Sequence, residues 1–489
     1  MADRTRVGGG GLEDVAVAGG PPIGRVPWLT DRRLVGFVIG WIALFAVVSV
    51  FVSNPFRSEA SAGATPDYWH VMFLHGLLVS MVGLGALLAC QVLGLRSRHV
   101  RVWIAGGVVA ATVLTALGGV WDKKIPGDEA PMWTQITGFF ALDEIFLMLL
   151  VGIAIEWRRR SAAERTLPLL AAEVAAASML VAAVMGHLAG WILEFGNTPG
   201  LIDRYARYVG ESRGDWTANL IGSHSHEMVV AMMAFVVALA AQQFGYASLE
   251  SAPRLLARVG LAAVAGGTVA MSGIYVAAGF TTWAPPPWLT SHHGVNGIAS
   301  DDVVTGIFVM GGGLLVLSAY ALVGAGKLAS LRGRPVRLAA LWSWALSFAT
   351  VVVAGYAIEL DTSHFGAGDP KAAGAANDAV YTWIHQDIGL FLFPTLTLVM
   401  LAAERYVASR RQGVIGSATL AGASLAFVGL VVFVFLDTAR HGPGYILSTI
   451  GLAIIGAALL ATMWYGALGG PPASAQRTDT PLASPPTTA

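Results

Sequence analysis

The sequence holds one cysteine, Cys90, among 489 residues. A single thiol excludes an intrachain disulfide, a Cys-x-x-Cys motif and a thiolate metal cage. Charge is scarce too. Asp, Glu, Lys and Arg make up 12% of the chain, about half the share of a soluble domain. Thirty bases balance thirty acids, but topology decides where they lie, so the zero net charge says nothing of partners. Polar–apolar alternation is missing from the long apolar runs, which argues against a β-barrel. A cleavable leader is not expected either, because Gly-rich polar residues 1–27 precede the first apolar run.

What remains is hydrophobic: 55% of the chain, in runs of about the 20 residues that span a bilayer as a helix. Twelve spans are expected, at 33–52, 69–95, 101–121, 136–157, 168–195, 219–244, 257–282, 301–325, 338–359, 381–402, 414–437 and 445–467. The expected organisation is a disordered N-terminus over 1–30, a helical membrane domain over 31–468 and a disordered Pro/Ser/Thr-rich tail over 469–489. An even span count puts both termini on one side. Of the 30 Lys and Arg residues, 22 fall on that side, which marks it as cytoplasmic and makes this a multi-pass cell-membrane protein. Trp69, Trp121, Trp133, Trp191 and Trp383 at outer span ends, and Trp103, Trp157 and Trp342 at inner ends, read as an interfacial belt.

Ten of the eleven histidines fall on the outer side: His70, His75, His187, His224, His226, His292, His293, His364, His385 and His441. Only His99 lies opposite. A histidine near hydrocarbon is costly without a partner, so such residues are functional candidates. The second span of each group of four opens on histidine: YWHVMFLHGLLVSM with His75, GSHSHEMVVAMMA with His224 and His226, and YTWIHQDIGLFLF with His385. The outer loops echo this in ALDEIF (Asp143, Glu144) and ASDDVV (Asp301, Asp302). The expected fold is therefore all-α, a polytopic bundle of about twelve helices in three pseudo-repeated four-helix arcs.

Single motifs carry the chemistry. His75 is followed by Gly76, which lets a flat macrocycle approach the backbone, so His75 is a candidate axial haem ligand. His224 and His226 point about 200° apart on a regular helix. His226, the deeper, is expected to face the bundle, and His224 to cap the helix or run along the outer surface. Glu227 is a candidate to ligate iron, relay a proton or accept a bond from a ligand histidine. His292 and His293, in TSHHGV, can converge on one ion where the chain is irregular. Their alternative is an exposed loop pair. His385 is a candidate proximal haem ligand with Asp387 nearby, and His187 in MGHLAGW is a further candidate for the site. His70 reads as interfacial, and His364 and His441 as ordinary loop residues. Acids gather in the outer half and no clear midspan acid appears in the inner half, so no inner proton path is visible.

Histidines on spans 2, 6 and 10, with an HH pair after span 7, resemble the catalytic subunit of the haem-copper oxidase superfamily, which includes the nitric oxide reductases. The resemblance implies that His75 ligates a low-spin haem. It implies that His226, His292 and His293, with His224 beside them, hold copper or non-haem iron, and that His385 ligates haem. Family members carry His-x-His on span 10, where this chain has His385-Gln386-Asp387. Either one haem is missing or its ligand comes from elsewhere, such as His187. The family's tyrosine after the span-6 histidine is replaced by Val230, or by Met228 if counted from His224, leaving Tyr275 on span 7 as the nearby substitute. The missing tyrosine, the added Glu227 and the absent inner acids lean toward a nitric-oxide-reductase-like site. HSHEM is also similar, more weakly, to the HxHEM of NnrS-type haem-copper membrane proteins.

The expected function is a membrane oxidoreductase with b-type haem and copper or non-haem iron in the outer half, acting on a small molecule such as nitric oxide or dioxygen. Glu227 and Tyr275 would be its catalytic residues. An electron-donor protein or a quinol, and the lipid bilayer, are the expected partners. Nucleic acid is not among them. Two alternatives stand beside this reading: a haem or metal sensor or stress protein without turnover, and a transporter with an outer-facing His/carboxylate site. The transporter reading needs broken helices, for which the glycines at 311–313 are the break candidate.

Overall fold

The computed structural model describes residues 31–51, 68–124, 129–161, 166–195, 200–249, 251–283, 290–291, 294–298, 301–322, 334–359, 379–435 and 442–467. The chain is an all-α polytopic membrane protein. Its helices are α1 (Asp31–Phe51), α2 (Tyr68–Val92), α3 (Arg98–Lys124), α4 (Glu129–Arg159), α5 (Leu167–Phe195), a short α6 (Leu201–Val209), α7 (Arg213–Gln243) and α8 (Ser251–Phe280). After them come α9 (Gly312–Leu322), α10 (Pro335–Glu359), α11 (Phe393–Tyr406), α12 (Ser409–Phe435) and α13 (Pro443–Ala467). Among the described residues, eleven helices are long and apolar enough to cross a membrane, and α1 falls on the first expected span. Two short strands, Thr290–Ser291 and Gly294–Ile298, pair antiparallel after α8. The terminal segments expected to be disordered, and His292, His293, His364 and His441, lie outside the described residues.

Three helices make the axis. The membrane-length windows of α2, α7 and the rod ending in α11 are 89%, 83% and 94% buried, against 39–56% for the other eight. These are the three spans that open on histidine. They meet where Gly85 on α2 leaves room for Phe235 of α7 and Leu398 of α11. Around them α3 packs on α4, α5 on α7, α10 on α11 and α12, and α12 on α13. The last helix, α13, returns to α1 and closes the bundle. The α12–α13 seam is built from small residues. Gly422 and Gly429 face Gly451, Ser448 and Gly444 so closely that a Cβ at Gly429 would overlap the backbone of Ser448. Tight small-residue seams are what drive helix association where no hydrophobic effect operates. Gly429→Ala is expected to cost about 1–3 kcal/mol, read as a lowered thermal midpoint in detergent.

Two rods change helix type on the way in. Asp301–Gly311 and Ala379–Leu392 are π-helical before they continue as α9 and α11. A wider ladder leaves carbonyls poorly placed for regular bonds, and α10 meets one in each. Trp344 Nε1 donates to Met310 O at 2.9 Å, and the Ser347 hydroxyl donates to Gly389 O at 2.6 Å. The glycines at 311–313 therefore mark a change of helix type and not a break. The sequence expectation also missed α6, which lies in a loop between spans. Left-handed Gly200 and Gly210 bound it. Its Tyr205 donates to Phe280 O at 2.7 Å, beside the bond from Trp216 Nε1 to Gly279 O, also 2.7 Å, so both side chains clamp the end of α8.

The arginine-rich end is more than a topology signal. Arg32 donates to the carbonyls of Tyr406, Tyr465 and Gly466, satisfying helix C-termini that have no partners of their own. Glu404 on α11 gathers a half-buried network: Arg337 Nε at 2.6 Å, Gln243 Nε2 at 3.1 Å and the Tyr320 hydroxyl. The Arg337 guanidinium also lies 4.8 Å over the Tyr320 ring. Four helices, α7, α9, α10 and α11, are tied at this point.

Candidate functional site

A cavity of about 350 Å³ opens between α2, α4, α5 and α7, within the usual range for small-molecule and cofactor pockets. Its polar groups are His75 from α2, Asp143 and Gln135 from α4, His187 from α5 and His224 from α7. Trp133, Phe139, Phe140 and Trp191 supply aromatic walls. Trp133, Phe140 and Trp191 are 45%, 58% and 51% exposed, so the mouth lies on the apolar outer flank of α4 and α5.

Each histidine is held. His187 Nε2 donates to Asp143 Oδ2 at 2.5 Å, and its ring stacks on Phe140 with centroids 5.0 Å apart. That bond puts the lone pair on Nδ1. His224 Nδ1 donates to Ala182 O at 2.7 Å, which leaves the lone pair on Nε2. Fixing the tautomer through a carbonyl or carboxylate is how proteins orient metal-binding imidazoles. His75 packs beside Phe139 at 5.3 Å. The sequence reading sent His224 to the helix cap or outer surface. It lines the cavity instead, because Gly186 on α5 has no side chain and the imidazole fills that notch. Gly186→Val is therefore expected to expel the His224 ring from that notch and lower stability by about 1–3 kcal/mol, read as a lowered thermal midpoint in detergent.

A second group forms on the far side of α7. His226 donates from Nδ1 to Gly222 O at 2.8 Å and lies over Tyr275 of α8, ring centroids 6.5 Å apart and 25° from parallel. His385, on the π-helical segment, lies within electrostatic reach of His226. Asp387 is buried two residues on. Tyr275, proposed from sequence as the nearby tyrosine, is thus beside the histidine it was paired with. Glu227 is almost fully buried and faces Ser272, whose hydroxyl bonds to Ser178 at 2.7 Å. It sits at the junction of α5, α7 and α8 and is not among the cavity-lining residues.

The structure thus divides the candidates in two: His75, His187 and His224 with Asp143, and His226 and His385 with Tyr275. Among the described residues no three His, Cys, Asp or Glu side chains converge as a ready metal cage. Sequence reasoning noticed Asp143 only as a loop echo and read Trp133 and Trp191 only as belt residues. Their cavity role depends on helix pairing, which leaves no local signal. No protein-family model matches this chain, and neither a curated protein nor a solved structure matches it.

Proposed function

We propose that the protein is a membrane oxidoreductase whose cavity between α2, α4, α5 and α7 holds a haem through His75 and a histidine from α5 or α7. The observation that carries this reading is an aromatic-walled pocket lined by imidazoles from three helices, two of them oriented by hydrogen bonds to Asp143 and to Ala182 O. The residues fit the group: imidazole nitrogens are haem's common axial donors, flat rings suit a macrocycle, and Gly190 keeps the α5 wall low. Held by two imidazoles, haem would supply one-electron redox chemistry there. His75 and either His187 or His224 would hold it, and Asp143 would strengthen the basicity of His187. On this reading the second axial nitrogen would come from α5 or α7 and not from span 10.

His226, with His385 and Tyr275 close by, is the proposed second centre, where copper or non-haem iron would sit. His292 and His293, outside the described residues, remain its expected further ligands. Its proposed substrate is a small uncharged molecule such as nitric oxide or dioxygen. The test is anaerobic nitric oxide consumption, and separately oxygen consumption, by purified protein supplied with a reduced quinol. Turnover of either substrate supports an oxidoreductase. Tight haem binding with neither would move the reading to a sensor.

A further inference from the structure

At the arginine-rich end, α2 and α3 are joined by a short turn with Gly94 in the left-handed conformation. Two arginines hold this turn. Arg101 donates to Leu95 O and to Cys90 O, and Arg160 donates to Leu93 O. Among the described residues of this turn the acid is Glu156, which is 2% exposed and already engaged. It accepts from the Arg96 backbone N–H at 2.9 Å and lies 3.6 Å from the Arg159 guanidinium. Four guanidinium groups, on Arg96, Arg98, Arg158 and Arg159, remain at the exposed surface. Against that one buried carboxylate stand four exposed cations, so among the described residues the patch is net positive.

Directly along the same two helices the surface turns apolar. Val102 and Trp103 are 47% and 58% exposed on α3, and Leu147 and Val151 are 47% and 38% exposed on α4. Trp103 follows Arg98 by little more than one helical turn, a spacing that sets an indole at the level where head groups give way to acyl chains. A soluble anion would use the cations and leave the apolar face bare. A phospholipid uses both.

We propose that the α2–α3 turn and the end of α4 form a binding site for an anionic phospholipid, its phosphodiester held by Arg96, Arg98, Arg158 and Arg159 and its chains lying on the α3–α4 face. Basic pockets at helix ends are suited to such head groups, and each surface arginine adds a similar increment of binding.

The experiment uses full-length protein in nanodiscs of phosphatidylcholine with a minor fraction of phosphatidylglycerol, followed by gentle detergent extraction and mass spectrometry of retained lipid. The expected result is preferential retention of phosphatidylglycerol, reduced about tenfold or more in R96Q/R98Q/R158Q/R159Q. It should be unchanged in R204Q/R207Q/R258Q/R410Q, which removes equal charge from other exposed sites. Should the quadruple variant fold poorly, R98Q/R158Q, which spares both residues that contact Glu156, is expected to give a smaller loss in the same direction. Equal retention of the two lipids overturns the proposal, as does equal loss in the control variant. Displacement of the lipid by soluble glycerol phosphate would also overturn it, since the ligand would then be a free phosphate ester.

Discussion

Alanine at His75 is expected to strip the purified protein of its low-spin haem spectrum, while His226→Ala leaves that spectrum in place. The two residues sit on different sides of α7's neighbourhood. His75 shares its cavity with His187, His224 and Asp143, whereas His226 lies against Tyr275. Removing an axial nitrogen removes the bond that defines the centre. Removing a supporting group is milder, so Asp143→Asn is expected to weaken haem affinity about 10–100-fold. His226→Ala and His292→Ala should instead reduce the non-haem metal content. Absorbance and metal analysis on the same preparations separate these outcomes. Equal, mild effects at His75 and His226 would make the histidines structural.

The second large effect is expected far from the histidines. Glu404→Ala leaves Arg337 without the carboxylate 2.6 Å away and Gln243 and Tyr320 without their shared acceptor. Removing the carboxylate strands a half-buried guanidinium and two hydrogen-bond donors, at a cost of about 1–3 kcal/mol. The network joins α7, α9, α10 and α11, so the loss falls on the core of the bundle and not on one helix. A fall in thermal midpoint at least as large as that of Gly429→Ala is expected. Glu404→Gln, which still accepts hydrogen bonds, should recover part of it. The optical spectrum of whatever folded Glu404→Ala protein remains should be unchanged, because this network lies at the opposite end from the cavity.

Much of the architecture was readable in advance. Long apolar runs announced the spans, and the three described rods that prove most buried are the ones carrying the recurrent histidines at 75, 226 and 385. That signal works because a polar group inside a membrane bundle must face protein, so it labels the buried helix. Helix type was not readable. The residues at 301–311 and 379–392 have no local feature that asks for a π-helix, and the side chains that meet their carbonyls, Trp344 and Ser347, come from α10.

The site was half readable. Residue types pointed to imidazole chemistry, but not to which imidazoles meet. The His187–Asp143 bond joins residues on different helices, 44 positions apart. The fit of His224 depends on a missing side chain at Gly186. A helical wheel alone left two directions for His224 and His226. Packing sends both inward, to separate places. The arginines told a similar story in reverse: counted for topology, several are helix caps, and four form a surface patch.

The central claim is that the cavity bounded by His75, His187 and His224 is a haem site. The optical spectrum of the purified full-length protein tests it most directly, read oxidised and dithionite-reduced, beside the same spectrum for His75→Ala. The account predicts a Soret band and sharp reduced bands of a bis-imidazole b-type haem in the wild-type protein, lost in the variant. A wild-type protein without a Soret band, after expression with ample haem supply, would contradict it.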